Sequence, residues 1–208
     1  MIIKVCGMRD AENIRAVEAL GIDWMGFIFW PHSSRYVGRR PSYLPENCRR
    51  VGVFVDAPAQ DILDAVKDFR LDVIQLHGQE IPEAIAVLKE RAATLNPAIR
   101  IVKSLSVKDA GDLAQAGAYE GVCDAFLFDT KGRLPGGNGQ QFDWNVLRQY
   151  RGRLPFLLSG GIGPDDGPRI REFDVPGCIG IDLNSRFETA PGVKDVAALK
   201  TFIETVRT

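Results

Sequence analysis

Met1-Ile2-Ile3-Lys4-Val5-Cys6 opens the chain as an apolar run closing on a thiol, and Ala125-Phe126-Leu127-Phe128-Asp129 repeats the pattern with a carboxylate at its end. Both runs are short, rich in β-branched or aromatic residues, and followed at once by loop-forming sequence, so each reads as a strand. Neither alternates polar with apolar residues as a half-solvated strand would. Near-continuous apolar runs belong to parallel strands covered on both faces. Reactive side chains at the C-terminal ends of such strands are the arrangement of α/β enzymes, and a thiol with a carboxylate is a usable base and acid.

Working outward, six further runs read as strands: residues 24–29, 51–55, 73–76, 99–104, 155–159 and 178–182. Amphipathic stretches separate them at 10–20, 41–47, 60–69, 81–92, 108–116, 143–150, 165–173 and 195–206. Asp61, Asp109 and Asp195 stand at helix starts, where an acidic residue offsets unpaired N–H groups. Strand–helix alternation admits an open doubly wound sheet or a closed barrel. Eight repeats without Gly-x-Gly-x-x-Gly after the first strand favour the barrel. The expected fold is therefore α/β, a (β/α)₈ TIM barrel in one compact domain over residues 1–208. The two longest connections, 30–41 and 130–141, follow strands two and six on the side where barrel enzymes carry substrate loops.

Composition narrows the function classes. A net charge of −1, with 45% hydrophobic and 25% charged residues, leaves no global basic field for nucleic acid or an anionic membrane. No apolar run approaches the roughly 18 residues of a membrane span. The first residues already read as strand and lack the features of a secretory signal, which predicts a cytoplasmic protein. Cys6, Cys48, Cys123 and Cys178 are widely spaced, and His32 and His77 are the sole histidines. That set offers too few zinc ligands, so no metal and four free thiols are expected.

The site candidates follow from position. Cys6, with Gly7 beside it, faces the proposed mouth, although a free cysteine there is also what a buried packing residue looks like. Lys4, two residues earlier, shares its strand face, and a free ammonium below the thiol would favour thiolate. Asp129 ends a strand too apolar to tolerate it without a partner or a task; the plain alternative is a loop or helix cap. Leu158-Ser159-Gly160-Gly161-Ile162-Gly163 ends strand seven, and Asp182-Leu183-Asn184-Ser185 ends strand eight. Loops after these two strands form a recurrent phosphate site, with bare backbone N–H groups at Gly160 and Gly161. Arg35, in Trp30-Pro31-His32-Ser33-Ser34-Arg35-Tyr36, flanks the mouth and suits a carboxylate. Gln75 and His77 end strand four as further mouth residues, and Gly136-Gly137-Asn138-Gly139 reads as a mobile substrate loop.

In order, Lys-Val-Cys-Gly-Met (4–8), Ser-Arg-Tyr-Val (34–37), Gln-Leu-His-Gly (75–78), Asp-Thr-Lys (129–131), Gly-Gly-x-Gly-x-x-Phe-Asp-Trp (136–144), Leu-Ser-Gly-Gly (158–161) and Glu-Thr-Ala-Pro-Gly-x-Lys-Asp (188–195) run almost end to end. Together they resemble the phosphoribosylanthranilate isomerase family of tryptophan biosynthesis. The resemblance implies a cofactor-free Amadori rearrangement of a phosphoribosyl-anthranilate substrate, with Asp129 as general acid and Cys6 as general base. It implies that Arg35 holds the anthranilate carboxylate and that Gly160, Gly161, Asn184 and Ser185 hold the phosphate. A monomer or homodimer is expected. The rival readings are another phosphosugar barrel or a non-catalytic phosphoribosyl-ligand-binding barrel. A histidine-pathway isomerase would carry aspartates on strands one and six, and Cys6 argues against it.

Overall fold

All eight apolar runs become strands. In the computed structural model of the chain, which describes residues 1–130 and 142–208, they are β1 (Ile2–Val5), β2 (Trp24–Ile28), β3 (Arg49–Phe54), β4 (Val73–Leu76), β5 (Arg100–Val107), β6 (Ala125–Thr130), β7 (Phe156–Leu158) and β8 (Cys178–Leu183). Each pairs in parallel with its sequence neighbour, and β1 also pairs with β8, so the sheet closes into a barrel. Alternation along each strand divides the core in two. Val51, Val53, Val73, Val102, Leu127 and Leu157 fill the barrel, while Ile3, Val5, Ile74, Phe126 and Phe128 belong to the larger layer beneath the helices. Strands apolar on both faces are thereby buried on both faces.

The helical layer departs from expectation in instructive places. Helices α1 (Ala11–Glu18), α2 (Ala59–Phe69), α3 (Pro82–Ala93), α4 (Gly167–Arg171) and α5 (Val196–Arg207) form, but residues 41–47 do not coil into one. Pro45 lies inside that stretch, lacks an N–H and drives Leu44 out of helical geometry. The buried Glu18 carboxylate takes the backbone N–H groups of Glu46 and Asn47 instead, each at 2.6 Å. Two other predicted helices are 3₁₀ segments, Ala110–Tyr119 and Trp144–Gln149. Gly111 and Gly117 weaken the first of these for regular α-helix. Asp10 and Asp195 cap α1 and α5, accepting from Asn13 N–H at 2.8 Å and Ala198 N–H at 3.0 Å. Between β8 and α5 a small antiparallel hairpin, β9 (Glu188–Ala190) and β10 (Val193–Lys194), rises beside the mouth. Among the described residues no helix is long and apolar enough to cross a membrane.

Candidate active site

Barrel closure assembles the site from both ends of the chain. Register sets Lys4 opposite Asp182 across the β1–β8 seam. Inside the barrel, Lys4 Nζ donates to Asp182 Oδ1 at 2.8 Å with both side chains buried. Lys4 thus sits beneath Cys6 as its strand position requires, but not as a free charge. Burial works against the ammonium, and Asp182 together with Cys6 outweighs it, holding Lys4 above the ordinary lysine range. Cys6, just past β1, is 3% exposed. Its sulfur occupies space that Gly26 leaves open: a Cβ on Gly26 would lie 2.7 Å from Sγ. Burial pushes the Cys6 thiol up, Lys4 opposes the rise, Asp182 adds to it and Lys194 opposes it. Lys4 thus acts on the thiol in the expected direction, but burial outweighs it and the net shift is upward. Desolvation wins, and the lysine's own carboxylate blunts its effect.

Asp129, one residue before the end of β6, lies on its inner face and is 5% exposed. Its Oδ1 accepts the Thr130 N–H at 2.9 Å, and its Oδ2 lies 3.5 Å from His77 Nε2. Below His77 on β4, Gln75 donates through Nε2 to Ser104 Oγ at 3.1 Å and leaves a buried Oε1 without a partner. An orphaned acceptor beside an open pocket is suited to a ligand hydroxyl or to water.

The β7 end turns sharply. Gly160 and Gly161 have φ of 96° and 69°, a left-handed pair that L side chains rarely adopt. The turn brings side-chain-free backbone to the pocket wall. The N–H of Gly163, two residues beyond the glycine pair in the turn toward α4, donates to Asp166 Oδ2 at 2.8 Å. The Gly160-Gly161 turn, Ser185 and Arg186 share one wall of the pocket. Gly160→Ala is expected to lose about 1–3 kcal/mol of stability from strain alone, and more from contact. A Cβ there would meet Thr130 Oγ1 at 2.1 Å and Thr130 N at 2.7 Å. Urea unfolding measures the loss.

Arg35 reaches the mouth, but with a partner that the sequence reading missed. Its Nε lies 2.9 and 3.0 Å from the Glu188 carboxylate oxygens, and its Nη2 lies 2.7 Å from Oε2. Glu188 occupies the side-on face of the guanidinium, so the end-on edge remains for a ligand carboxylate. Glu188 also accepts from the buried Lys194 Nζ at 2.5 Å, and Lys194 Nζ donates to Asn184 Oδ1 at 2.8 Å. Burial works against the Glu188 charge, yet the Arg35 hydrogen bond and Lys194 hold it below the usual carboxylate range. Arg9 ties the second loop to the β9–β10 turn through Ser34 O at 3.1 Å and Pro191 O at 2.8 Å.

One pocket at the C-terminal strand ends contains all the sequence-selected positions: Cys6, Arg35, Gln75, His77, Asp129, the Gly160-Gly161 pair, Asp182, Asn184 and Ser185. Its space, open mouth included, is about 780 Å³. The glycine-rich stretch 136–139 and Lys131 lie outside the described residues. Among the described residues no group of three or more His, Cys, Asp or Glu side chains is placed to hold a metal ion.

Against known proteins, the family of N-(5'-phosphoribosyl)anthranilate (PRA) isomerase matches residues 3–205. The N-(5'-phosphoribosyl)anthranilate isomerase of Phocaeicola vulgatus is 54% identical over 207 residues, covering 100% of this chain and 98% of that one. The crystal structure of phosphoribosyl anthranilate isomerase from Thermotoga maritima superposes with a TM-score of 0.81 at 32% identity, covering 100% of this chain and 99% of that one. A further phosphoribosyl anthranilate isomerase was solved in complex with reduced 1-(o-carboxyphenylamino)-1-deoxyribulose 5-phosphate. It superposes with a TM-score of 0.76 at 29% identity, covering 100% of this chain and 99% of its own.

Proposed function

This chain belongs to the N-(5'-phosphoribosyl)anthranilate isomerase family, and from that premise we propose that Asp129 is its general acid and Cys6 its general base. The reaction is the Amadori rearrangement of N-(5'-phosphoribosyl)anthranilate to 1-(o-carboxyphenylamino)-1-deoxyribulose 5-phosphate in tryptophan biosynthesis. Asp129 gives its proton to the furanose ring oxygen as the C1–O bond breaks, and the anilino nitrogen lone pair forms the C1=N bond of an iminium. Cys6, as thiolate, takes the proton from C2. The electrons of that C–H bond become the C1=C2 bond of an enolamine, which tautomerises to the ketone. No electron leaves the substrate, so the sequence closes without a redox partner.

One observation carries this reading: acid and base line the same pocket, which also presents a guanidinium edge and a side-chain-free glycine turn. Those are partners for the two anionic ends of the substrate, its carboxylate and its phosphate. Fixing both ends holds C1 and C2 between the two proton-transfer groups, and positioning of this kind supplies much of an enzyme's acceleration. The buried thiol is a poor base while the site is empty. The iminium placed near it favours the thiolate and acidifies the C2 proton at once.

The test is conversion of freshly generated N-(5'-phosphoribosyl)anthranilate, followed by anthranilate fluorescence. A well-folded wild type without activity overturns the proposal. Because burial raises the Cys6 thiol and the deprotonated form is the working one, kcat/KM is expected to climb with pH. The slope should be close to tenfold per unit from about pH 6 to 8. A flat profile over that window would mean a base other than this thiol.

A further inference from the structure

We propose that Lys194 is a positioning residue that adds a second positive charge to that of Lys4 in support of the Cys6 thiolate, through a largely buried Arg35–Glu188–Lys194 triad packed against the loop that follows the thiol. The proposal deepens the assignment of Cys6 as the base and rests on it for its catalytic consequence. Two buried charge clusters approach Cys6. Below it, Lys4 and Asp182 pair one to one at 2.8 Å and sum to zero. Above it, a single Glu188 carboxylate lies between Arg35 and Lys194, leaving one positive charge in excess.

The upper cluster meets the residue after the thiol. A Cβ on Gly7 would lie 2.8 Å from Arg35 Cδ and 2.9 Å from Asn184 Oδ1, the atom to which Lys194 donates. Glycine at position 7, with φ of 83°, lets the cluster close down over Cys6. Lys194 is fixed at its backbone as well, since Asn13 on α1 accepts from its N–H at 2.8 Å and donates to its carbonyl at 3.0 Å. A lysine 2% exposed, held at both backbone and ammonium, cannot swing to solvent. The charged groups acting on Cys6 are, in order of strength, Lys4, Asp182 and Lys194; Lys4, by charge and hydrogen bond, and Lys194 favour the thiolate, and Asp182 opposes it. Burial draws the Lys194 ammonium down from the ordinary lysine range, while Glu188 and Cys6 hold it up. Lys194 and Cys6 therefore favour each other's charged forms.

The test titrates Cys6 by ultraviolet thiolate absorbance, subtracting the same titration of Cys6→Ala, in wild type, Lys194→Met and Lys194→Arg. Lys194→Met leaves Glu188 paired with Arg35, so no carboxylate is orphaned, and urea unfolding verifies the fold. The Cys6 titration is expected to move up by about one pH unit in Lys194→Met, with kcat/KM near neutral pH falling about tenfold and its pH profile displaced alkaline. Lys194→Arg should restore the titration in part. A folded Lys194→Met with an unmoved thiol titration overturns the proposal, and a change confined to KM would mark Lys194 as a brace for Arg35. If Lys194→Met fails to fold, Lys194→Arg decides the question against wild type: a titration displaced upward as far as an uncharged thiol environment requires, despite the retained charge, refutes it. The thiol readout does not depend on turnover, so failure of Cys6 as the base and failure of this charge assignment are read separately.

Discussion

Cys6→Ala and Asp129→Asn are each expected to lower kcat by roughly 10²- to 10⁴-fold, with KM changed little. Neither substitution should unfold the protein. Alanine at position 6 removes one sulfur from a slot already narrowed by Gly26 and keeps the backbone bonds of Cys6 N–H to Leu183 O and Gly7 N–H to Gly26 O, both 2.9 Å. Asparagine at position 129 keeps an oxygen for the Thr130 N–H while losing the proton that the ring oxygen needs. With substrate binding assigned to other residues in the proposal, the loss should fall on the chemical step. Stopped assays of anthranilate fluorescence with thermal melts of both variants measure the effect. A Cys6→Ala enzyme within tenfold of wild type would leave the reaction intact and require another base.

The largest stability effect is expected at the barrel seam. Lys4→Met should cost about 3–5 kcal/mol, the usual loss when one member of a buried pair is removed. Asp182, 9% exposed, would keep a carboxylate that its position in the barrel has no other cation to match as closely. Methionine fills the lysine's stem volume, so the loss measures charge rather than packing. The double variant Lys4→Met/Asp182→Leu should recover most of it, because two apolar side chains in place of a buried pair are often neutral. Urea melts of the four proteins form a double-mutant cycle. Additive losses would show that the two side chains are not energetically coupled.

The barrel was legible because its strands announce themselves locally. Continuous apolar runs such as Val73–Leu76 and Ala125–Thr130 need no distant information to be recognised. The helical layer was less so. Residues 41–47 carry an amphipathic pattern, but Pro45 and the remote Glu18 carboxylate decide their conformation. At the site, strand-end position and motif resemblance were enough to gather the pocket residues. Charge partnership was not readable. Lys4 and Asp182 lie 178 positions apart and meet only because β1 and β8 close the sheet, and Arg35 meets Glu188 across 153 positions. Position 194 looked like part of a helix start because Asp195 beside it is a genuine cap. Only the β9–β10 hairpin turns Lys194 inward.

The burial of Cys6 also bears on the enzyme's chemical lifetime. Peroxides and electrophiles attack thiolate far faster than thiol, and they need room to approach. A sulfur that is 3% exposed, walled by Gly26 and held protonated by desolvation offers neither. The idle protein is thus guarded against oxidation by its dryness, and, with Cys6 as the proposed base, its reactive form is expected chiefly when a cationic intermediate occupies the pocket and shields it.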